Sequence, residues 1–141
     1  VQTCALPISI NVLREGADVA LVAMGSTVHE IVSAAAALAD QGIDAAVINV
    51  PSIRPCDTAQ LLAVLQKSRR VITVEEHNVN GGVGSLVAEV LAEAGCAIPL
   101  TRLGIADGSY AIAADRKDMR AHHGIDAAGV VRKATALCEG A

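Results

Sequence analysis

The sequence predicts one α/β sandwich, a mostly parallel sheet with helices on both faces. Three observations carry this. Strand-length runs such as Val19 to Met24 are continuously apolar, the pattern of strands buried on both sides. Each run after the first is followed by a segment with apolar residues at helical spacing. The connections are a few residues long, and short right-handed crossovers lay successive strands parallel.

In chain order, Ile10–Arg14 reads as a short edge strand ended by Glu15-Gly16. Asp18–Gly25 is a strand buried on both faces, and Gly25-Ser26 turns it into a helix. Thr27 and Glu30 have capping-box spacing, with Ser26 a competing N-cap. Val28, Ile31, Val32, Ala35, Leu38 and Ala39 form its inward face, and Gly42 supplies the stop. The strand Ala45–Val50 leads into a stiff connection, Pro51-Ser52-Ile53-Arg54-Pro55, since each proline fixes φ.

Asp57 and Gln60 repeat the capping-box spacing, opening a helix to about Ser68 with Leu61, Leu62 and Leu65 inward. Val71–Val74 is the next buried strand. A helix starting near Ser85 turns Leu86, Val87, Val90 and Leu91 inward and stops at Gly95. Leu100–Ile105 is the last strand and Asp107-Gly108-Ser109 a turn; Tyr110 to Arg116 has no clear assignment. A short helix from Asp118 to His122 stops at Gly124. The final helix begins at Asp126, with Ile125 and Val130 placed as a hydrophobic staple and Val131, Ala134 and Leu137 also inward.

At 141 residues the chain is one domain with room for a core. It is 52% hydrophobic with mean hydropathy +0.47. No run approaches the roughly 18 apolar residues of a membrane span, so no membrane partner is expected. A buried sheet, many alanines and a surface covered by a partner account for the excess. Net charge is −4, from 11 basic and 15 acidic residues. The only basic cluster, Lys67-Ser68-Arg69-Arg70, is read as complementing a helix C-terminus.

Tyr110 is the sole aromatic, which argues against stacking on single-stranded nucleic acid. There is no basic stripe for a duplex either, so no nucleic-acid partner is expected. Cys4, Cys56, Cys96 and Cys138 have no zinc-like spacing and are read as small hydrophobes, in keeping with a reduced, cytoplasmic setting. Residues 1–9 (Val1-Gln2-Thr3-Cys4-Ala5-Leu6-Pro7-Ile8-Ser9) have no basic n-region and are not a signal peptide. They resemble the conceptual translation of a sequencing-library adapter, so the native domain is expected over 10–141, as the tail of something longer.

The organising stretch is Glu75-Glu76-His77-Asn78-Val79-Asn80-Gly81-Gly82-Val83-Gly84-Ser85. It joins a buried strand to a helix at the end of the sheet where ligands or partner domains meet such folds. The glycine run admits two readings, a phosphate cradle at a helix N-terminus or a turn that lets strand and helix pack closely. It is neither G-x-G-x-x-G nor a P-loop, and no lysine follows. Gly25-Ser26-Thr27 admits the same pair.

Glu75, Glu76 and His77 could serve acid/base chemistry. Adjacent strand residues point to opposite faces, however, so Glu75 pairs better with His77 than with Glu76. Satisfying buried backbone or a domain contact is the other reading. His122-His123 lies at a helix end, where a protonated histidine gains from the dipole, and His29 lies in an exposed first turn. No G-x-S-x-G, H-E-x-x-H or Ser/His/Asp set occurs. Catalytic, cofactor-binding and metal residues are therefore all assigned as none.

Several segments resemble the C-terminal domain of the transketolase family. They are Leu13-Arg14-Glu15-Gly16-x-Asp18-Val19 entering Val22-Ala23-Met24-Gly25-Ser26, and Val47-Ile48-Asn49-Val50-Pro51-Ser52-Ile53-Arg54-Pro55-x-Asp57. Val74-Glu75-Glu76-His77-Asn78-x-x-Gly81-Gly82-x-Gly84-Ser85, Gly104-Ile105-x-Asp107 and His123-Gly124-Ile125-Asp126 complete the match, which covers about residues 12 to 138. Glu-Glu-His looks most like bacterial transketolases split into two polypeptides. Deoxyxylulose phosphate synthases and 2-oxoacid dehydrogenase beta subunits are the relatives.

The resemblance implies a five-stranded mixed sheet with an antiparallel first strand at its edge. It also implies a parent that transfers a two-carbon ketol unit between sugar phosphates with thiamine diphosphate and Mg²⁺. Those cofactors sit between upstream pyrophosphate and pyrimidine domains, so none is expected on this chain. What it implies here is an interface role, facing those domains or a second subunit of a homo-oligomer. The residues are Glu75, Glu76, His77, Asn78, Gly81, Gly82, Gly84 and Ser85, with Gly25, Ser26 and Asp107. Where the family holds a Phe and a glycine turn, this sequence has Gly108-Ser109-Tyr110. The alternatives are a docking module like the end of a dehydrogenase beta subunit, a deoxyxylulose phosphate synthase domain, and a small-anion or nucleotide module at Gly25-Ser26 and Gly81–Gly84.

Overall fold

The computed structural model describes residues 9–109 and 113–140. Its elements are β1 (Asn11–Arg14), β2 (Val19–Ala23), α1 (Val28–Asp40), β3 (Ala45–Asn49), α2 (Thr58–Leu65), β4 (Val71–Asn78), α3 (Val83–Glu93), β5 (Leu100–Ile105), α4 (Arg116–His123) and α5 (Ala127–Glu139). A single 3₁₀ turn, Gly25–Thr27, leads into α1.

The strands form one sheet in the order β1-β3-β2-β4-β5. β1 runs antiparallel to β3, and the other four strands are parallel. The expected five-stranded mixed sheet with an antiparallel edge is thus present. β2 and β4 are neighbours whose following connections run to opposite sides, so the strand order reverses between them. The carboxyl ends of β2 and β4 flank this switch point, the place where open α/β sheets leave a crevice.

Each face of the sheet has its own core. Ala20, Val22, Ile48 and Val71 pack with Leu61, Leu65, Val87 and Leu91 under α2 and α3. Leu21, Val47, Ile72 and Val74 pack with Ile31, Leu38, Val130 and Ala134 under α1 and α5. All five residues of β2 are fully buried, as a continuous apolar run requires.

Several sequence expectations are corrected here. The capping box at Thr27 and Glu30 does not form. Thr27 Oγ1 donates instead to the carbonyls of Met24 and Val74, and the Glu30 carboxylate is used elsewhere. Val32 and Ala39 face solvent, and Ala34 takes the inward position. At α2, Asp57 caps Gln60 N–H at 2.9 Å, but the Gln60 amide bonds the backbone of Ile10, giving half a capping box. This helix ends at Leu65, so the basic cluster lies beyond it. Lys67 and Arg69 pair with Glu15 and Asp18 of the β1–β2 turn.

β4 continues through Asn78 and α3 starts at Val83, so the connecting loop is shorter than the sequence suggested. α4 begins at Arg116, capped by Asp115. Ile125 and Val130 are both buried in one cluster, as a staple requires. Tyr110 and Cys4 lie outside the described residues. Cys56, Cys96 and Cys138 are half-buried thiols packed against the two cores.

Candidate functional site

The carboxyl end of β4 divides two carboxylates between two faces. Glu75 follows Thr73 on the α3 side, and Glu76 follows Val74 on the α1 side. Period-two geometry sends adjacent residues to opposite faces, so this separation was legible in the sequence. The two acids occupy unlike surroundings.

Glu75 is 1% exposed, and neither carboxylate oxygen completes a hydrogen bond among the described residues. Three glycines close around it. A Cβ built on Gly82 would overlap Glu75 Oε2 and the His77 ring. One on Gly84 would lie 2.8 Å from Glu75 Oε1, and one on Gly104 3.1 Å from Glu75 Cγ. His77 Nε2 stands 3.3 Å from Glu75 Oε2. Burial pushes the Glu75 carboxyl above the ordinary carboxylate range. His77, the N–H groups of Val83 and Gly84 directed from α3, and Arg102 pull the other way, yet burial prevails.

Glu76 sits in a lattice of donors. Arg116 Nε and Nη2 reach its two oxygens at 2.7 and 2.6 Å, and Arg120 Nε and Nη2 reach them at 3.1 and 3.0 Å. Ser26 Oγ donates to Oε2 at 2.7 Å and accepts from Arg116 at 2.8 Å. The two guanidinium groups hold the Glu76 carboxyl well below the ordinary range. Arg120 also donates to Glu30 at 2.8 Å, and the other Glu30 oxygen accepts the N–H of Ala127. This lattice fastens α4, α5 and α1 to the switch point. A cleft of about 570 Å³ beside it is lined by Glu30, Arg116, Lys117, Arg120 and Asp126.

The rest of the stretch forms a polar rim. Asp107 accepts from Asn78 at 2.6 Å and Asn80 at 2.8 Å, tying the β4 and β5 ends together. Asn78 Oδ1 accepts the N–H of Asn80, which folds the chain back. Ser85 Oγ accepts the N–H of Gly81, and Arg102 holds the carbonyl of Val79 at 2.9 Å. Gly81 has φ +83° and Gly25 φ +62°, left-handed conformations that suit glycine.

The predicted residues therefore form three groups. Glu75, His77, Gly82 and Gly84 converge on one face; Gly25, Ser26 and Glu76 meet on the other. Asn78, Gly81, Ser85 and Asp107 rim the edge between them. Sequence reasoning missed Arg116 and Arg120, which reach Glu76 from 40 and 44 residues away without a local pattern, and Glu30, which holds Arg120 from 90 residues away. It also missed Thr73, Arg102 and Gly104. A glycine inside a strand signals close approach of another group, so Gly104 was detectable.

The glycine turn does not fit a diphosphate. The place in front of the α3 N–H groups, where an anion would sit, is filled by the chain's own Glu75. The described residues hold no group of three histidine, cysteine or acidic side chains set to ligate a metal. No helix among them is long and apolar enough to cross a membrane.

Fold and site define a doubly wound α/β domain whose polar residues at the carboxyl edge are engaged with one another. The chain belongs to the transketolase C-terminal-domain family, whose model matches residues 9–130. It is 62% identical to a subunit of the apulose-4-phosphate transketolase of Actinobacillus succinogenes, over 94% of this chain and 42% of that protein. It is 40% identical to 1-deoxy-D-xylulose-5-phosphate synthase 1 of Geobacter metallireducens, over 99% of this chain and 23% of that one. Among solved structures it matches a split-gene transketolase described as an inactive beta4 tetramer. The TM-score there is 0.84 at 34% identity, over 95% of this chain and 43% of that one. The chain spans less than half the length of these relatives.

Proposed function

We propose that this chain is the C-terminal domain of a transketolase split between two polypeptides, and that its carboxyl edge docks the domains or subunit that carry thiamine diphosphate and Mg²⁺. The observation that carries the reading is the 62% identity to a transketolase subunit over nearly the whole chain. The parent transfers a two-carbon ketol unit between sugar phosphates, with a ketose phosphate of the apulose 4-phosphate kind as donor and an aldose phosphate as acceptor, in the cytoplasm, as an assembly that holds more than one copy of this chain. On this reading the chain supplies no reacting group. Asn78, Asn80, Asp107 and Ser85 present the docking rim, and Glu75, Glu76 and Ser26 keep it in shape.

The direct test mixes this chain with the polypeptide bearing the cofactor-binding domains. Co-elution, weakened by Asn80→Arg on the exposed rim, is the expected result. Calorimetry of this chain alone with thiamine diphosphate and Mg²⁺ is expected to show no binding. Ketol transfer by this chain alone overturns the proposal.

Residues 1–9 we read as adapter-derived, and the genomic sequence upstream of Ile10 tests this. A frame running on into a pyrimidine-binding domain supports the split-enzyme reading. A start codon close to Asn11 would instead define an autonomous module and make the Glu75–Ser85 stretch the place to seek its ligand.

A further inference from the structure

Glu75 Oε2 and His77 Nε2 face each other at 3.3 Å, a gap that one proton would bridge. The tautomer of His77 follows from its second ring nitrogen. Nδ1 is 2.6 Å from the carbonyl oxygen of Asn78, and a carbonyl can only accept, so Nδ1 carries the hydrogen. In the neutral ring Nε2 then bears a lone pair, and it points at Glu75 Oε2 from 3.3 Å. Two acceptors face each other beside a carboxylate that is 1% exposed and has no other hydrogen-bond partner among the described residues. The contact becomes favourable when one proton sits on either atom, as carboxylic acid and imidazole or as carboxylate and imidazolium.

We propose that Glu75 and His77 hold one shared proton, and that its loss loosens the Gly81–Gly84 turn, making the carboxyl edge of the sheet a pH-operated element. With the proton in place the pair is neutral overall in either arrangement. Without it, a full negative charge remains inside a space closed by Gly82, Gly84 and Gly104 and meets the His77 lone pair.

The other groups facing Glu75 do not replace the proton. On β4 itself, Thr73 Oγ1 makes no hydrogen bond. From β5, Arg102 favours the charge, but its Nη1 is engaged by the Val79 carbonyl at 2.9 Å. From α3, only the N–H groups of Val83 and Gly84 are directed at the carboxylate, and neither completes a hydrogen bond. The turn brings glycines and no charged side chain. Arg54 and Glu89 line a small pocket of about 100 Å³ together with Gly81 and Gly82.

The least costly relief is outward movement of the turn, because a buried charge without partners is far more expensive than one that water reaches. Half of the His77 side chain is exposed, so the proton has a route to solvent. The device is a property of this chain and does not depend on the docking reading.

The test is NMR on the intact chain over about pH 3 to 9. The ¹³Cδ shift of Glu75 reports its ionisation, and amide exchange of Val83, Gly84 and Ser85, normalised to intrinsic rates, reports the turn. Glu75 is expected to ionise above the ordinary carboxylate range, with protection of the turn falling about tenfold across the same step. Glu75→Gln, a neutral side chain with its own donor toward Nε2, is expected to keep protection flat. His77→Leu removes the second holder of the proton and is expected to move the Glu75 midpoint, upward where an imidazolium had favoured the carboxylate and downward where a neutral imidazole had accepted the acid's proton.

Titration of Glu75 within the ordinary carboxylate range overturns the proposal. So do parallel exchange profiles for wild type and Glu75→Gln. Should that variant fail to fold, the wild-type and His77→Leu carboxyl titrations decide, and identical midpoints sink the shared proton.

Discussion

Glu75 and Glu76 are adjacent in sequence, yet one lies in a buried, glycine-walled space and the other in a lattice of two arginines and a serine. The side of the sheet each one faces makes the difference. On the α3 face three glycines close on the carboxylate and His77 Nε2 stands 3.3 Å from it, with no hydrogen bond completed among the described residues. On the α1 face the long arms of Arg116 and Arg120 span the gap between β4 and α4 and supply four bonds. The same residue type therefore has its charge opposed on one face and secured on the other. The comparison teaches that strand periodicity assigns the face, while the element packed on that face assigns the chemistry.

The largest expected effect comes from filling the glycine-walled side. Gly82→Val drives a branched side chain into Glu75 and His77, and overpacking of this kind is expected to destabilise by about 3 kcal/mol. Urea unfolding measures it. Pairing the change with Glu75→Ala makes room, and recovery of part of the loss would place the collision at that carboxylate. An equal loss in the double variant would place it in the backbone of the turn.

Glu76→Ala removes the acceptor from both arginines. With hydrogen bonds to charged groups at stake and Arg120 only 12% exposed, a cost of about 2 kcal/mol is expected. Loss of protection in α4 and at the start of α5 should accompany it in hydrogen exchange. The variant probes the lattice alone, and an unchanged unfolding midpoint would show that Glu30 suffices for Arg120.

The two acids also predict opposite pH slopes. Glu76 has a lowered folded-state pKa, so its stabilisation is complete above the ordinary carboxylate range and is lost as pH falls through the lower, folded value. Glu75 has a raised one, so stability is greatest below the ordinary range and declines as pH rises toward the folded value. Stability measured against pH should therefore lose its acid limb in Glu76→Gln and its decline above the ordinary range in Glu75→Gln. Superimposable curves for the two variants would abolish the contrast.

Ser26→Ala is the finest probe. It deletes one donor to Glu76 while leaving both arginines in place, and about 1 kcal/mol is expected. A change as large as that of Glu76→Ala would make Ser26, rather than the arginines, the organiser of this face.

The sequence by itself determined the elements, because burial on two faces and helical spacing are local patterns. Val19 to Ala23, Leu100 to Ile105 and the stops at Gly42, Gly95 and Gly124 stand as the residue pattern requires. It also determined that Glu75 would face away from Glu76 and toward His77, since alternation along a strand needs no long-range information. Tertiary structure alone decided what each acid meets. The capping box at Thr27 and Glu30 was a local option, but Glu30 gained more from Arg120 and the Ala127 N–H, 90 and 97 residues away. Gln60 likewise left its helix for the backbone of Ile10, 50 residues away. Partners so distant in sequence are chosen by sheet order and packing, which bring β2, β4, α4 and α5 to one switch point, and no spacing rule along the chain encodes that meeting.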